Sequence, residues 1–196
     1  DSFEVFHSRS LDGGYTFQDY SVTDHKFKIK TINPTLFGVP GYIGSYIGVI
    51  SSKRTITPVW FDNATEIYQA WTSSIKIGID IKLIPQGFFN TTTDKLRMKD
   101  TIKVYLRNSA SPYSIVDSSS GILDSVTFIA GFVFKNAVSG NYYLDIRHRN
   151  SINTWSKNTI NYSTANNSCY DFTTAETQAM GNNLIQLNNK FCVYGG

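Results

Sequence analysis

In the stretch Ser10-Leu11-Asp12-Gly13-Gly14-Tyr15-Thr16-Phe17, one carboxylate sits between two hydroxyls across a double glycine. Such a carboxylate can serve as an acid or base, or it can accept backbone N–H groups and staple a turn. Gly14 tolerates positive φ and Phe17 is placed to pack beneath the loop, so Ser10, Asp12, Gly14, Thr16 and Phe17 are read as a staple. A second group, Arg147-His148-Arg149, offers cations for an anion or a sugar acid. Strand alternation puts Arg147 and Arg149 on one face and His148 on the other, and favours a structural role. Trp155 offers a ring for a sugar, with burial in the core as the alternative. Arg147, Arg149 and Trp155 are thus the candidate ligand-contacting residues. Cys169 and Cys192 bracket a compact segment, and a bridge between them would stabilise it by roughly 3 kcal/mol in an oxidising compartment.

Other chemistry finds little support. His7 and His25 have no companions at metal-ligand spacing, and Asp94, Asp100 and Asp117 form no D-x-D-x-D-G loop. No nucleophile elbow, glycine-rich phosphate loop, HExxH or CxxC occurs, so no catalytic residue, metal or cofactor is expected. The net charge of +3 is spread among acids and makes no basic stripe, which argues against nucleic acid. No run of 18 apolar residues is present to span a membrane as a helix. The N-terminal residues start directly in strand-like alternation, so a signal peptide is taken to have been removed.

The elements that must position these residues are strands. The 196 residues are 41% hydrophobic and only 17% charged, with Asn, Ser and Thr in place of charge and 12 Tyr and 13 Phe. That palette suits half-buried pleated surfaces of extracellular all-β modules. "FEVFHSR" and "YTFQDYSV" alternate on either side of Gly13-Gly14 and predict a hairpin. After a loop marked by Pro34, Gly38, Pro40 and Gly41, "YIGSYIGVIS", "TITPVWF" and "EIYQAWTSSIKI" predict three further strands in meander order. The texture changes near Gly78. From there, short strands such as "TIKVYL" and "YYLDIRH" at close spacing predict a β-sandwich of immunoglobulin-like type. The expected division is 1–78 for a blade-like meander, 79–161 for the sandwich, and 162–196 for a disulfide-closed extension packed upon it.

With these residues in place, two resemblances can be stated. S-x-D-x-G-x-T-F resembles the Asp-box, or BNR repeat, of sialidase-type β-propellers, and it falls at the hairpin position that the repeat occupies. "GYIGSYIGVISS" with "TPVWFDNATEIYQAWTSSI" is similar to the final blade of secreted bacterial BNR-repeat proteins, except that Ser45 replaces an Asp and Ala64 an Arg. "RHRNSINTWS" and "YDFTTAETQAMGNN" resemble a β-sandwich module at the C-terminal end of large bacterial surface proteins, often followed by a dockerin-like repeat. Together they imply an all-β chain with partial propeller-like blades followed by the sandwich. In the family the Asp-boxes lie on the rim, away from catalysis, and the lost charges at positions 45 and 64 weaken an enzymatic reading further.

The expected function is therefore a non-catalytic extracellular β module of a larger secreted or cell-surface protein, structural, adhesive or carbohydrate-contacting. The alternative is the tail of an exo-sialidase-like glycoside hydrolase whose catalytic blades lie upstream. Because a propeller needs several blades of four strands, strands around Phe3–Ser8 and Tyr42–Ile50 are expected to lack neighbours. They would dock against the upstream part of the precursor or against neighbouring copies. Glycans are the other expected partners; nucleic acid is not.

Overall fold

A computed structural model of the chain describes residues 2–10, 12–28, 47–65 and 67–196. The loop marked by Pro34, Gly38, Pro40 and Gly41, Ser45 and the first part of the strand expected from Tyr42 lie outside these, while the rest of that strand falls within them. Among the described residues the chain is all-β, without an α-helix, and no sheet closes into a barrel. Among the described residues no helix is long and apolar enough to cross a membrane. The chain divides into two compact units, Asp1–Lys76 and Ile77–Gly196, so the boundary falls just before the expected Gly78.

In the N-terminal unit, β1 (Phe6–Arg9) and β2 (Gln18–Ser21) form the expected hairpin, with His7 opposite Tyr20. A second sheet holds β3 (Gly48–Ser52), β4 (Thr55–Asp62) and β5 (Gln69–Thr72) in that order, with β6 (Ile75–Lys76) also pairing with β4. Every residue of β3 is exposed, and β4 buries Pro58, Trp60 and Asp62 on one face. The only large apolar side chains fully buried among this unit's described residues are Phe27 and Trp60, whereas Val49 and Ile50 are exposed.

The staple forms as the residue types demand. Asp12 Oδ1 accepts the backbone N–H groups of Tyr15 at 3.0 Å and Thr16 at 2.9 Å, and Oδ2 accepts the Thr16 hydroxyl at 2.6 Å. Ser10 Oγ donates to Asp12 Oδ1 at 2.8 Å and accepts the Gly14 N–H at 2.7 Å. The bonds from Thr16 and Ser10 hold the Asp12 carboxyl far below the usual carboxylate range. Gly13 and Gly14 take φ of +77° and +97°, which a side chain would strain. Phe17 lies at the loop with its ring edge 4.0 Å from where a Cβ on Gly14 would stand, and the residue is 62% exposed.

In the C-terminal unit, β7 (Gly78–Lys82) is followed by two short pairs of strand residues, β8 (Phe89–Asn90) and β9 (Lys95–Leu96), which bond to each other. Then come β10 (Asp100–Asn108), β11 (Ile115–Leu123), β12 (Ile129–Phe132), β13 (Gly140–Arg147), β14 (Thr154–Trp155) and β15 (Ile160–Tyr162). The last are β16 (Asn167–Asp171), β17 (Ile185–Leu187) and β18 (Lys190–Cys192). One sheet runs β11-β10-β13-β14, with β15 also on β13, and a second runs β12-β7-β16. Alternation sends Ile102, Val104 and Leu106 of β10 and Leu144 and Ile146 of β13 inward. There they meet Ile79 and Ile81 of β7 and Phe132 of β12 in one core, consistent with a β-sandwich. Where β11 passes over β12, a Cβ on Gly121 would lie 2.8 Å from the Gly131 carbonyl, so only glycine fits that approach.

The segment after residue 161 is a structural part of this unit. β16 runs parallel to β7, and Phe172, Leu184, Cys192 and Val193 are core residues. Val193 N–H donates to the Ile84 carbonyl at 2.8 Å, and the Val193 carbonyl accepts from Gln86 N–H at 2.9 Å. The expected disulfide is absent: Cys169 and Cys192 are both free. The reason is strand phase. On β16, Tyr170 packs against the core, which turns Cys169 outward, while Cys192 on β18 is wholly buried. Burial pushes the Cys192 thiol up to about 12.

A maleimide probe should therefore label one thiol, at Cys169, in the native protein, and a second only after unfolding. Complete protection of both thiols without reductant would contradict the separation.

Candidate functional sites

The outer face of the β11-β10-β13-β14 sheet carries the densest set of chemically capable side chains. Odd-numbered residues of β10 and β13 point outward because their neighbours fill the core. Register then pairs Lys103 with Arg147, Tyr105 with Asp145 and Arg107 with Tyr143, and places Trp155 beside Asp145. The Asp145 side chain is only 1% exposed, and Arg107 meets its Oδ2 through Nε at 2.9 Å and Nη2 at 2.8 Å. Arg147 reaches Oδ2 at 3.1 Å and Oδ1 at 3.4 Å. The bond to Asp145 and its charge push the Arg147 guanidinium further up.

Both guanidiniums also stack. Arg107 lies 4.5 Å from the Trp155 ring centre and Arg147 lies 4.4 Å from that of Tyr105. Tyr113 meets Trp155 and Tyr143 edge-on, and its carbonyl accepts from Arg107 Nη1 at 3.2 Å. Arg–aromatic stacking keeps the long cations flat and ordered. The product is a fixed surface of aromatic edges and guanidinium groups, suited to sugars and anions.

Two candidates from the sequence, Arg147 and Trp155, therefore come together here. Arg149 does not join them. β13 ends at Arg147, so alternation stops, and Arg149 Nε instead donates to Asp100 Oδ2 at 2.8 Å with its guanidinium over Phe88. His148 is buried with Nε2 3.3 Å from the same Asp100 oxygen and Nδ1 3.0 Å from Ser151 Oγ, which is a structural clamp. Sequence reading missed Lys103, Tyr105, Arg107, Tyr113, Tyr143 and Asp145. The signal was the period-two run Lys-x-Tyr-x-Arg facing Tyr-x-Asp-x-Arg, which sets one chemistry on one face.

A smaller nest lies in the N-terminal unit. Asp62 is fully buried, accepting Trp60 Nε1 at 2.9 Å on Oδ2 and the Ala64 N–H at 3.0 Å on Oδ1. His25 Nδ1 lies 2.7 Å from Asp24, and its Nε2 faces Asp62 Oδ2 at 3.5 Å, an ion-pair distance too long for a good hydrogen bond. The hydrogen bond to Asp24 and then the Asp62 charge push the His25 imidazole up. Asp24, His25 and Trp60, with Trp71, Thr72 and Ser73, line a cavity of about 260 Å³. Among the described residues no three His, Cys, Asp or Glu side chains gather as a metal site.

Two outcomes follow. Asp145→Asn should lower the stability of the C-terminal unit by about 3 kcal/mol, because it strands Arg107 against a neutral group in a half-buried setting. Arg147→Ala should cost no more than about 1 kcal/mol, since that guanidinium is more open to solvent. Urea unfolding at constant m measures both. His25, whose folded pKa is raised, stabilises the N-terminal unit fully below the ordinary imidazole value, and that contribution is lost as pH rises through the higher folded value. His7, pushed down by burial and by Arg9, titrates with the opposite sign. The wild-type minus His25→Gln difference in urea midpoint should therefore shrink from about pH 6 to about pH 8.

Comparison of the chain with protein-family models, with curated proteins and with solved structures finds no match.

Proposed function

We propose that this chain is a non-catalytic extracellular β module that contacts glycans through the outer face of its C-terminal unit. The observation that carries this is the ordered surface built by Tyr105, Arg107, Tyr113, Arg147 and Trp155 around a buried Asp145. Sugar recognition uses aromatic faces and edges for the C–H patches of a ring and planar donors for its oxygens. Rigid aromatic and guanidinium groups supply both at low entropic cost, because little is left to order on binding. In this reading the C-terminal unit is an immunoglobulin-like sandwich and the N-terminal unit a propeller-type blade closed by an Asp-box.

The Asp12 staple favours a second reading, in which the chain is the end of a longer sialidase-like hydrolase. The two readings differ in the intact mass of the native polypeptide and in the presence of further Asp-boxes.

Binding of the full chain to a panel of immobilised polysaccharides should be saturable, and Trp155→Ala should weaken it roughly tenfold without changing the far-ultraviolet circular dichroism spectrum. Absence of binding across the panel, or binding indifferent to Trp155→Ala, would remove this face as the site.

A further inference from the structure

Lys103 and Arg147 stand directly opposite one another on β10 and β13, both on the outer face. Like charges in that relation repel, so the pairing itself is a cost to the sheet. Arg147 is partly neutralised by Asp145, but that carboxylate is buried and already shared with Arg107. Among the described residues Lys103 is exposed, its ammonium 4.9 Å from the Tyr105 ring centre and no carboxylate at ion-pair distance. Nearby carboxylates are committed elsewhere: Asp100 to His148 and Arg149, Asp117 to the N–H groups of Asn136 and Ala137, Asp124 to Lys99 and its own turn.

Lys103 and Arg147 also share one ring, the Lys103 ammonium lying 4.9 Å and the Arg147 guanidinium carbon 4.4 Å from the centre of Tyr105. Beside them β11 presents exposed Ser118 and Ser120, opposite Tyr105 and Lys103 respectively. Across one sheet face, then, lie hydroxyls, aromatic rings and three cations, with Lys103, Arg107 and Arg147 outnumbering the single acid Asp145.

We infer that the Lys103–Arg147 pair is a subsite for the anionic group of an acidic polysaccharide, a uronate carboxylate or a sulfate ester. The inference rests on the glycan reading of this face and specifies its ligand class. An anion placed between the two heads relieves their repulsion and accepts charge-assisted hydrogen bonds from both. The serines of β11 lie where the hydroxyls of the same or the next sugar fall, and Trp155 lies one residue pair across the sheet. A neutral sugar would leave the two cations facing each other unrelieved, so the face discriminates by charge.

The test uses the full chain and pairs of polymers that differ only in charge: polygalacturonate against its methyl ester, and sulfated against unsulfated dextran. At least one acidic member should bind roughly tenfold tighter than its neutral partner. Lys103→Ser should remove most of that preference, and binding should weaken with added salt. Lys95→Ser, an equal loss of charge on β9, serves as control and should leave the preference intact. Equal binding to charged and neutral partners overturns the anionic subsite while the glycan reading stands. Neither pair binding, while other polysaccharides do, has the same result. Loss of preference in Lys95→Ser as well as Lys103→Ser assigns the effect to net charge and overturns the inference, as does equally tight binding of single-stranded DNA. Failure to bind any polysaccharide removes both readings together.

Discussion

The buried carboxylate of Asp145 is the constraint on which the functional face depends. A charge with 1% exposure is tolerated only when paired and hydrogen-bonded, and two guanidiniums meet that need from neighbouring positions on β10 and β13. Because each guanidinium is tied at one edge to the acid, its flat face is left for an aromatic ring, Trp155 for Arg107 and Tyr105 for Arg147. Flexible surface cations thereby become fixed features. Their positions are set by strand register, which is in turn set by the apolar residues alternating with them.

That coupling explains what could be read from the sequence and what could not. The all-β class, the hairpin around Asp12 and the inward set Ile102, Val104 and Leu106 follow from alternation and turn chemistry, which are local. The face around Asp145 depends on which strand lies beside which, and on phase to a single residue; nothing in "TIKVYLRN" alone says that "YYLDIR" is its neighbour. Arg149 shows the limit of periodicity. Two positions past Arg147 it would share that face if the strand continued, but the chain turns first and Asp100 takes the side chain. The cysteines failed for a similar reason, because sequence separation carries no information on whether two side chains leave their strands in opposite directions.

The two units differ in how their shape is secured. The C-terminal unit packs a continuous apolar core from two sheets. Among described residues the N-terminal unit buries little besides Phe27 and Trp60, and more of its order is polar: the Asp12 turn, and the nest in which Asp62 gathers Trp60, Ala64 and His25. Polar networks are directional and hold geometry closely, yet each contributes less net free energy than buried area does.

The parallel contact between β7 and β16 has a consequence in time. β7 opens the C-terminal unit and β16 comes near its end, so that the side-chain bond from Asn167 to Asp80 joins residues 87 positions apart. During synthesis the strand that opens the unit has its partner on this edge only after most of the rest has emerged. Loop closure over such a distance comes late, and local pairs such as β10 with β11 have the lower entropic cost and form first. The edge of β7 thus stays open through most of the assembly of the unit, an interval in which it is exposed to pairing with other strands.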